Sequence, residues 1–418
     1  MALENISPVW KRTFPLTINR GGGCFVYDLD GRSYIDFTSG IGVVNTGHCH
    51  PEVVSAAQEQ VGKLIHAQVN NYFHQPLIDL TEALLEVVPD PSFDCFFFTN
   101  SGAEAVESAM KLARHATKRP NIITFQGAFH GRTNQTMAAT SGHHIYRAGY
   151  MPLASGIHVA PFPYYYRYGW EPEYASRWCL DEVRHLLNTQ TAPFETAAIM
   201  IEPVLGEGGY VVPPASFLKG LREICDEFDL LLIFDEVQSG FGRTGKFFAL
   251  EHFQVIPDMI IVAKGIASGF PLSGIIASKE LMDRWIPGSH GGTYGGNAVA
   301  CAAAKATIKL LRDGLVDNAS RMGAMLLKEL KILQERYPLI GDVRGLGLMV
   351  GVEFTNPDGT PGSEVSDRVK EYCFNHRLLL MQCGTYHQVI RWIPPLVVDE
   401  PLLRKAIDIF SNAVSALN

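Results

Sequence analysis

The stretch Leu230-Leu231-Leu232-Ile233-Phe234-Asp235-Glu236-Val237-Gln238-Ser239-Gly240 decides the architecture of this chain. Five apolar residues run without alternation and stop abruptly at two carboxylates. A strand that is apolar on both faces belongs in a sheet covered on both sides, which is the usual situation of parallel sheets. Outward from this stretch the pattern recurs as Cys95–Phe98, Ile122–Phe125, Ala197–Ile201, Met259–Ala263 and Gly274–Ala277. Helical stretches lie between these runs, among them Ala103–His115 and Ser216–Phe228. The alternation predicts an α/β fold with a mostly parallel sheet covered by helices. Ligands of such sheets bind beyond the carboxyl ends of the strands, so the polar residues after each run are the functional candidates.

The flanks read differently. Cys24–Asp28 and Ser33–Phe37 are strand-like and separated by Leu29-Asp30-Gly31-Arg32, a hairpin turn. A Gly-, Asn- and His-rich loop follows, ending at His48-Cys49-His50, and Pro51 opens a helix. Beyond about residue 300 a helix over Ala298–Leu311, a second helix, and strands over Gly347–Phe354 and Val389–Trp392 predict an α+β unit. The expected division is a large domain over residues 55–300. Residues 1–54 and 301–418 join as a smaller α+β domain formed by both chain ends.

Composition narrows the function. The 418 residues are 47% hydrophobic with a formal charge of −8, and they carry neither a basic stripe nor a polybasic patch. Nucleic-acid and membrane-surface partners are therefore not expected. The N-terminus lacks a basic segment followed by an apolar one, and no apolar run approaches the about 18 residues that span a bilayer. Eight cysteines are scattered without a C-x-x-C pair and read as buried, reduced thiols, which points to the cytoplasm. His48-Cys49-His50 has no second ligand pair at zinc spacing and reads as loop structure, so no metal is expected.

Two residues carry the chemistry. Met259-Ile260-Ile261-Val262-Ala263 ends in Lys264, and an ammonium at the end of a buried strand is costly unless used. Desolvation favours the neutral, nucleophilic amine that forms Schiff bases. Paired with Asp235 on a neighbouring strand end, it suits pyridoxal phosphate, which needs a lysine for its aldehyde and a carboxylate beside its pyridine nitrogen. Thr99-Asn100-Ser101-Gly102-Ala103 opens a helix and offers backbone N–H groups to a phosphate; Gly291-Gly292-Thr293 is a second such candidate. Phe129 can stack on a flat ring and Arg132 can grip a carboxylate, while Glu202 and Glu207 follow the strand Ala197–Ile201. Asp235-Glu236 also looks like a Walker B element, and Gly240–Lys246 fits G-x-x-x-x-G-K. Phe247, however, stands where a magnesium-binding hydroxyl belongs. Gly345-Leu346-Gly347 precedes a strand where a dinucleotide site requires a helix.

Together these motifs resemble the class III aminotransferases, fold-type I pyridoxal-phosphate enzymes, over roughly residues 20 to 415. The resemblance rests on Asn45-Thr46-Gly47-His48 with His50-Pro51, Ser101-Gly102-Ala103-Glu104-Ala105, Phe129-His130-Gly131-Arg132-Thr133, Glu202-Pro203, Gly206-Glu207-Gly208-Gly209, Asp235-Glu236-Val237-Gln238-Ser239-Gly240, Ala263-Lys264 and Gly292-Thr293. Cys383-Gly384 and Arg391 bring it nearest the family's bacterial 4-aminobutyrate aminotransferase branch. The resemblance implies that Lys264 attaches the cofactor and moves the substrate proton, Asp235 meets the pyridine nitrogen and Gln238 the ring hydroxyl. Phe129 would cover the ring, with Ser101, Gly102, Ala103 and the partner chain's loop at Thr293 on the phosphate. His130, Glu202 and Val237 would complete the cofactor contacts. Arg391 would bind the α-carboxylate of 2-oxoglutarate or glutamate and Arg132 the distal one, beside Ile41. Glu207 would neutralise Arg391 for an ω-amino acid. A homodimer with shared active sites is also implied. Gln68-Val69-Asn70-Asn71-Tyr72 departs from the aminobutyrate pattern, which leaves acetylornithine- or ornithine-type transamination and amino-acid racemisation as alternatives.

Overall fold

The computed structural model describes residues 2–417. At its centre stands a seven-stranded sheet in the spatial order Cys95–Thr99, Ser273–Ala277, Met259–Val262, Leu231–Asp235, Thr196–Ile201, Asn121–Phe125 and Ile157–Ala160. Ser273–Ala277 runs antiparallel to both of its neighbours, and the remaining pairings are parallel. Every residue of Thr196–Ile201, Met259–Val262 and Ser273–Ala277 is buried. Continuous apolar runs form these strands because helices cover both faces, and each fully buried Ile, Met or Val contributes about 1.5–3 kcal/mol. The strand Ile157–Ala160 was not expected from the sequence. It is a four-residue edge strand whose apolar pattern is broken by His158, so it lacks the run that marks its neighbours.

The covering helices follow their amphipathic stripes. Ala215–Phe228 buries Phe217, Leu218, Leu221 and Ile224, and Gly102–Thr117 buries Val106, Ala109, Met110 and Ala113. The second of these starts at a capping box: Ser101 Oγ accepts the Glu104 N–H at 3.3 Å, and Glu104 Oε2 accepts the Ser101 N–H at 2.8 Å. Two four-stranded sheets flank the large one. In the first, Ile18–Gly22, Phe25–Asp28 and Ser33–Asp36 form a meander, and Leu378–Leu379 joins its edge in parallel. Strands from the two ends of the chain thus share one sheet. In the second, Ile340–Leu346, Met349–Phe354, Val389–Trp392 and Met381–Cys383 are antiparallel throughout. Gly347-Leu348 makes the tight turn between the first two of them, with Gly347 at positive φ, while Gly345 and Leu346 belong to the strand before it, so the expected strand begins at Met349 and not at Gly347. No helix among the described residues is long and apolar enough to cross a membrane.

Candidate active site

The carboxyl ends of four central strands converge on one chamber. Asp235, the last residue of its strand, is 4% exposed. Its Oδ1 accepts the Val237 N–H at 3.0 Å, and its Oδ2 lies 2.7 Å from His130 Nδ1. Burial works against a charged His130, but the hydrogen bond and charge of Asp235, with Glu202 behind them, win and raise the imidazole above its usual value.

Lys264 follows the neighbouring strand at φ +46°, a left-handed conformation that an L-residue adopts at a cost of about 1 kcal/mol. Among the described residues Lys264 makes no ion pair. Burial, aided by the positive charge of Arg391, pulls its amine down to about 8, although Asp235, Glu202 and Glu207 oppose the shift. A substantial fraction of the amine is therefore neutral near physiological pH, as a nucleophile or general base requires.

Glu202 braces the walls. Its Oε1 accepts the Phe129 N–H and its Oε2 the Gly206 N–H, each at 2.8 Å, so it ties the Phe129 loop to the Glu207 loop. Burial and the nearby Asp235 push its carboxyl up to about 7 against His130 and the two N–H groups. The loop bearing Glu207 is pinned from behind as well, since Arg344 donates to the Gly209 carbonyl from Nε at 3.1 Å and from Nη2 at 2.7 Å. At the start of helix Gly102–Thr117 the N–H groups of Gly102 and Ala103 have no intrahelical partner. A Cβ at Gly102 would lie 3.1 Å from Val237 Cγ1, so only glycine keeps this approach free. Gln238 Oε1 and His130 Nε2 are buried without a hydrogen-bond partner.

At the far side Arg391, 2% exposed, donates from Nη1 to Glu207 Oε2 at 3.0 Å. Burial disfavours the guanidinium, and Glu207 overcomes that and raises it. Glu207 Oε1 accepts the Tyr146 hydroxyl at 2.8 Å. Arg132 is exposed and lies over the Tyr146 ring, 4.7 Å from its centroid, and 5.8 Å from that of Phe129.

The class-III aminotransferase family matches this chain over residues 6–414. The chain belongs to the class-III aminotransferases. It is 38% identical to the probable 4-aminobutyrate aminotransferase of Bacillus subtilis strain 168, over 95% of this chain and 92% of that one. It is equally 38% identical to the alanine/serine racemase of Pyrococcus horikoshii, over 96% of this chain and 86% of that one. A solved amine transaminase from an uncultivated Pseudomonas species, in its pyridoxal-phosphate-bound form, superposes with a TM-score of 0.92 at 29% identity, covering 99% and 98% of the two chains. This class-III aminotransferase accordingly depends on pyridoxal phosphate. The chamber fits that cofactor. The free N–H groups at Gly102 and Ala103 suit a phosphate, the orphaned Gln238 Oε1 suits a hydroxyl donor, and a carboxylate and an amine stand at neighbouring strand ends.

The fold thus brings Lys264, Asp235, His130, Glu202, Val237, Gln238, Phe129, Glu207 and Arg391 of the aminotransferase around one space. Ile41, at φ +68° and 41% exposed, borders it through Gly42, where a Cβ would come 3.7 Å from Gln238 Cγ. Thr293 stands apart. It is exposed, and among the described residues it makes no hydrogen bond to any member of the chamber. Glu236, adjacent to Asp235, turns the other way: it is fully buried and accepts the Ala249 and Leu250 N–H groups at 2.6 and 2.8 Å. Burial pushes it up to about 8. With Gly240–Lys246 folded as turns and Arg243 buried within them, no phosphate loop of the NTPase kind exists there. His48 pairs with Asp36 at 2.7 Å and His50 caps the helix Pro51–Val61, so both serve the loop. Tyr146 and Arg344 carry no signal in the sequence because each matters only through a partner far along the chain.

Proposed function

We propose that this aminotransferase moves the amino group of an ω-amino acid, 4-aminobutyrate or a close homologue, to 2-oxoglutarate, in two half-reactions that share one site. The Glu207–Arg391 pair carries this reading. A buried guanidinium without a counter-charge costs several kcal/mol. Glu207 supplies that charge while a donor lacking an α-carboxylate is bound, and it withdraws when the α-carboxylate of glutamate or 2-oxoglutarate takes its place on Arg391. Arg132 holds the distal carboxylate of either substrate, beside Ile41.

Pyridoxal phosphate, when bound, supplies an electron sink for the bond broken at the amine-bearing carbon. Lys264 attaches the cofactor and carries the proton to and from that carbon. Asp235 would meet the pyridine nitrogen, with His130 holding its carboxylate in place. Through its orphaned Oε1, Gln238 would accept from the ring hydroxyl, Phe129 and Val237 would enclose the ring, and Ser101, Gly102 and Ala103 would hold the phosphate. Residues 1–54 and 301–418 form the small domain around a large domain of residues 55–300. We assign the enzyme to the cytoplasm, where buried thiols such as Cys179, pushed up to about 12 by burial, stay reduced.

A panel of amino donors with 2-oxoglutarate tests the substrate assignment. 4-Aminobutyrate or 5-aminovalerate should outrun N-acetylornithine and ornithine, and an L-amino acid should keep its chirality. Interconversion of enantiomers without keto-acid formation would identify a racemase. Glu207→Gln should lower kcat/KM for the ω-amino donor about tenfold or more relative to glutamate, because Arg391 is left unneutralised only in that half-reaction. Equal losses in single-turnover assays of the two would remove the switch.

We further assign the working unit to a homodimer in which Thr293 of one chain meets the phosphate held by the other. Its exposure, beyond reach of its own chain's chamber, supports this. Mixing Lys264→Ala chains with Thr293→Ala chains should put both lesions in one site of the heterodimer and none in the other. About half the native activity per heterodimer should return. No recovery in a verified heterodimer would mean that Thr293 serves its own chain.

A further inference from the structure

Tyr146 touches both Arg132 and Glu207, the counter-ion of Arg391. It ends a short turn, His144–Tyr146, which begins where His143 Nδ1 accepts the Ile145 N–H at 3.2 Å. The Phe129 ring, 5.1 Å away between centroids, and the His143 ring, 6.0 Å away, pack against it edge to face. These two contacts orient the Tyr146 ring. Its hydroxyl is aimed at Glu207 Oε1 at 2.8 Å, and its face lies under the Arg132 guanidinium at 4.7 Å. Glu207 Oε1 has no other hydrogen-bond donor among the described residues, and Glu207 Oε2 is taken by Arg391. Burial and the charge of Glu207 raise the Tyr146 phenol, so it remains a donor across the working pH range.

We infer that Tyr146 is a positioning residue that sets the preference for ω-amino over α-amino substrates. Its hydroxyl latches Glu207 onto Arg391, and its ring independently seats Arg132. The inference rests on the Glu207–Arg391 switch proposed above. A hydrogen bond from a neutral donor to a charged carboxylate stabilises the latched state. Each dicarboxylate that displaces Glu207 must break that bond, whereas an ω-amino acid leaves it intact. Seating of the guanidinium over the ring benefits both substrate classes, since both place a carboxylate on Arg132.

The test compares Tyr146→Phe, Tyr146→Leu, Glu207→Gln and the Tyr146→Phe/Glu207→Gln double variant as holoenzymes. Tyr146→Phe keeps the ring and loses the latch. Its kcat/KM for 4-aminobutyrate should fall roughly three- to tenfold through KM, while that for glutamate holds or rises. Glutarate, an unreactive dicarboxylate, should bind it roughly three- to tenfold more tightly in an equilibrium titration. Tyr146→Leu should in addition raise KM for both substrates by weakening the seat of Arg132. In the double variant the Tyr146 lesion should add nothing to that of Glu207→Gln. A Tyr146→Phe enzyme with unchanged discrimination and unchanged glutarate affinity, beside a Glu207→Gln enzyme whose discrimination has shifted, overturns the latch alone. Unchanged discrimination in Glu207→Gln overturns the switch and the latch with it.

Discussion

Replacing Lys264 by alanine is expected to reduce transamination on the order of a thousandfold or more, because one substitution removes both the attaching amine and the proton carrier. The apoprotein should not suffer. Lys264 has no ion-pair partner among the described residues, and folding lowers its amine from 10.5 to about 8. A lysine whose pKa is lowered by folding destabilises the native state fully below the folded value, and the penalty disappears as pH rises past the unfolded value. The shift corresponds to about 3 kcal/mol at most. Apoprotein of Lys264→Ala should therefore melt no lower than native apoprotein at neutral pH, and any advantage should shrink between pH 8 and 10.5. In native apoprotein, capture of the cofactor by Lys264 should accelerate as pH rises through about 8, since only the neutral amine attacks. Turnover near the native rate in the alanine variant would falsify the assignment of Lys264.

The second large effect is expected at Asp235. Asp235→Asn preserves shape and removes the charge that lies 2.7 Å from His130 and faces the chamber. Activity should drop on the order of a hundredfold or more, the scale seen when a preorganised electrostatic partner is lost. Cofactor binding should survive in part, because the phosphate seat at Gly102 and Ala103 is untouched. Asp235→Glu should retain more activity than the amide if charge is the decisive property. The neighbouring imidazole gives a readout independent of turnover. With its carboxylate gone, His130 is left with burial as the dominant influence, so its pKa should fall below its present raised position in a nuclear magnetic resonance titration. Native activity in Asp235→Asn, or an unmoved His130 titration, would refute this role.

Much of the fold was legible because its core strands are buried on both faces. Burial on both sides demands continuous apolar runs, and such runs need no knowledge of their neighbours to be recognised. Leu231–Asp235 and Met259–Val262 announced themselves in this way, and the polar residue closing each run fell at a sheet edge where ligands bind. Ile157–Ala160 did not, because an edge strand tolerates a polar residue such as His158 and so loses the signature. Lys264 and Asp235 stood out through desolvation cost: a charged group at the end of an apolar run invites an explanation wherever the run is packed.

Tertiary structure alone decided which groups meet. Asp235 and His130 are 105 residues apart in sequence, and Glu207 and Arg391 are 184 apart; no spacing rule pairs them, and the family resemblance was needed to anticipate the second pair. Tyr146 carried no local signal at all. Its function is a hydrogen bond to a loop 61 residues away and a ring face under Arg132, both created when separate strand ends converge. The physical reason lies in the range of the forces. Burial and backbone geometry act residue by residue and leave a pattern along the chain. Hydrogen bonds and charge pairs depend on distances that exist only after the sheet has assembled.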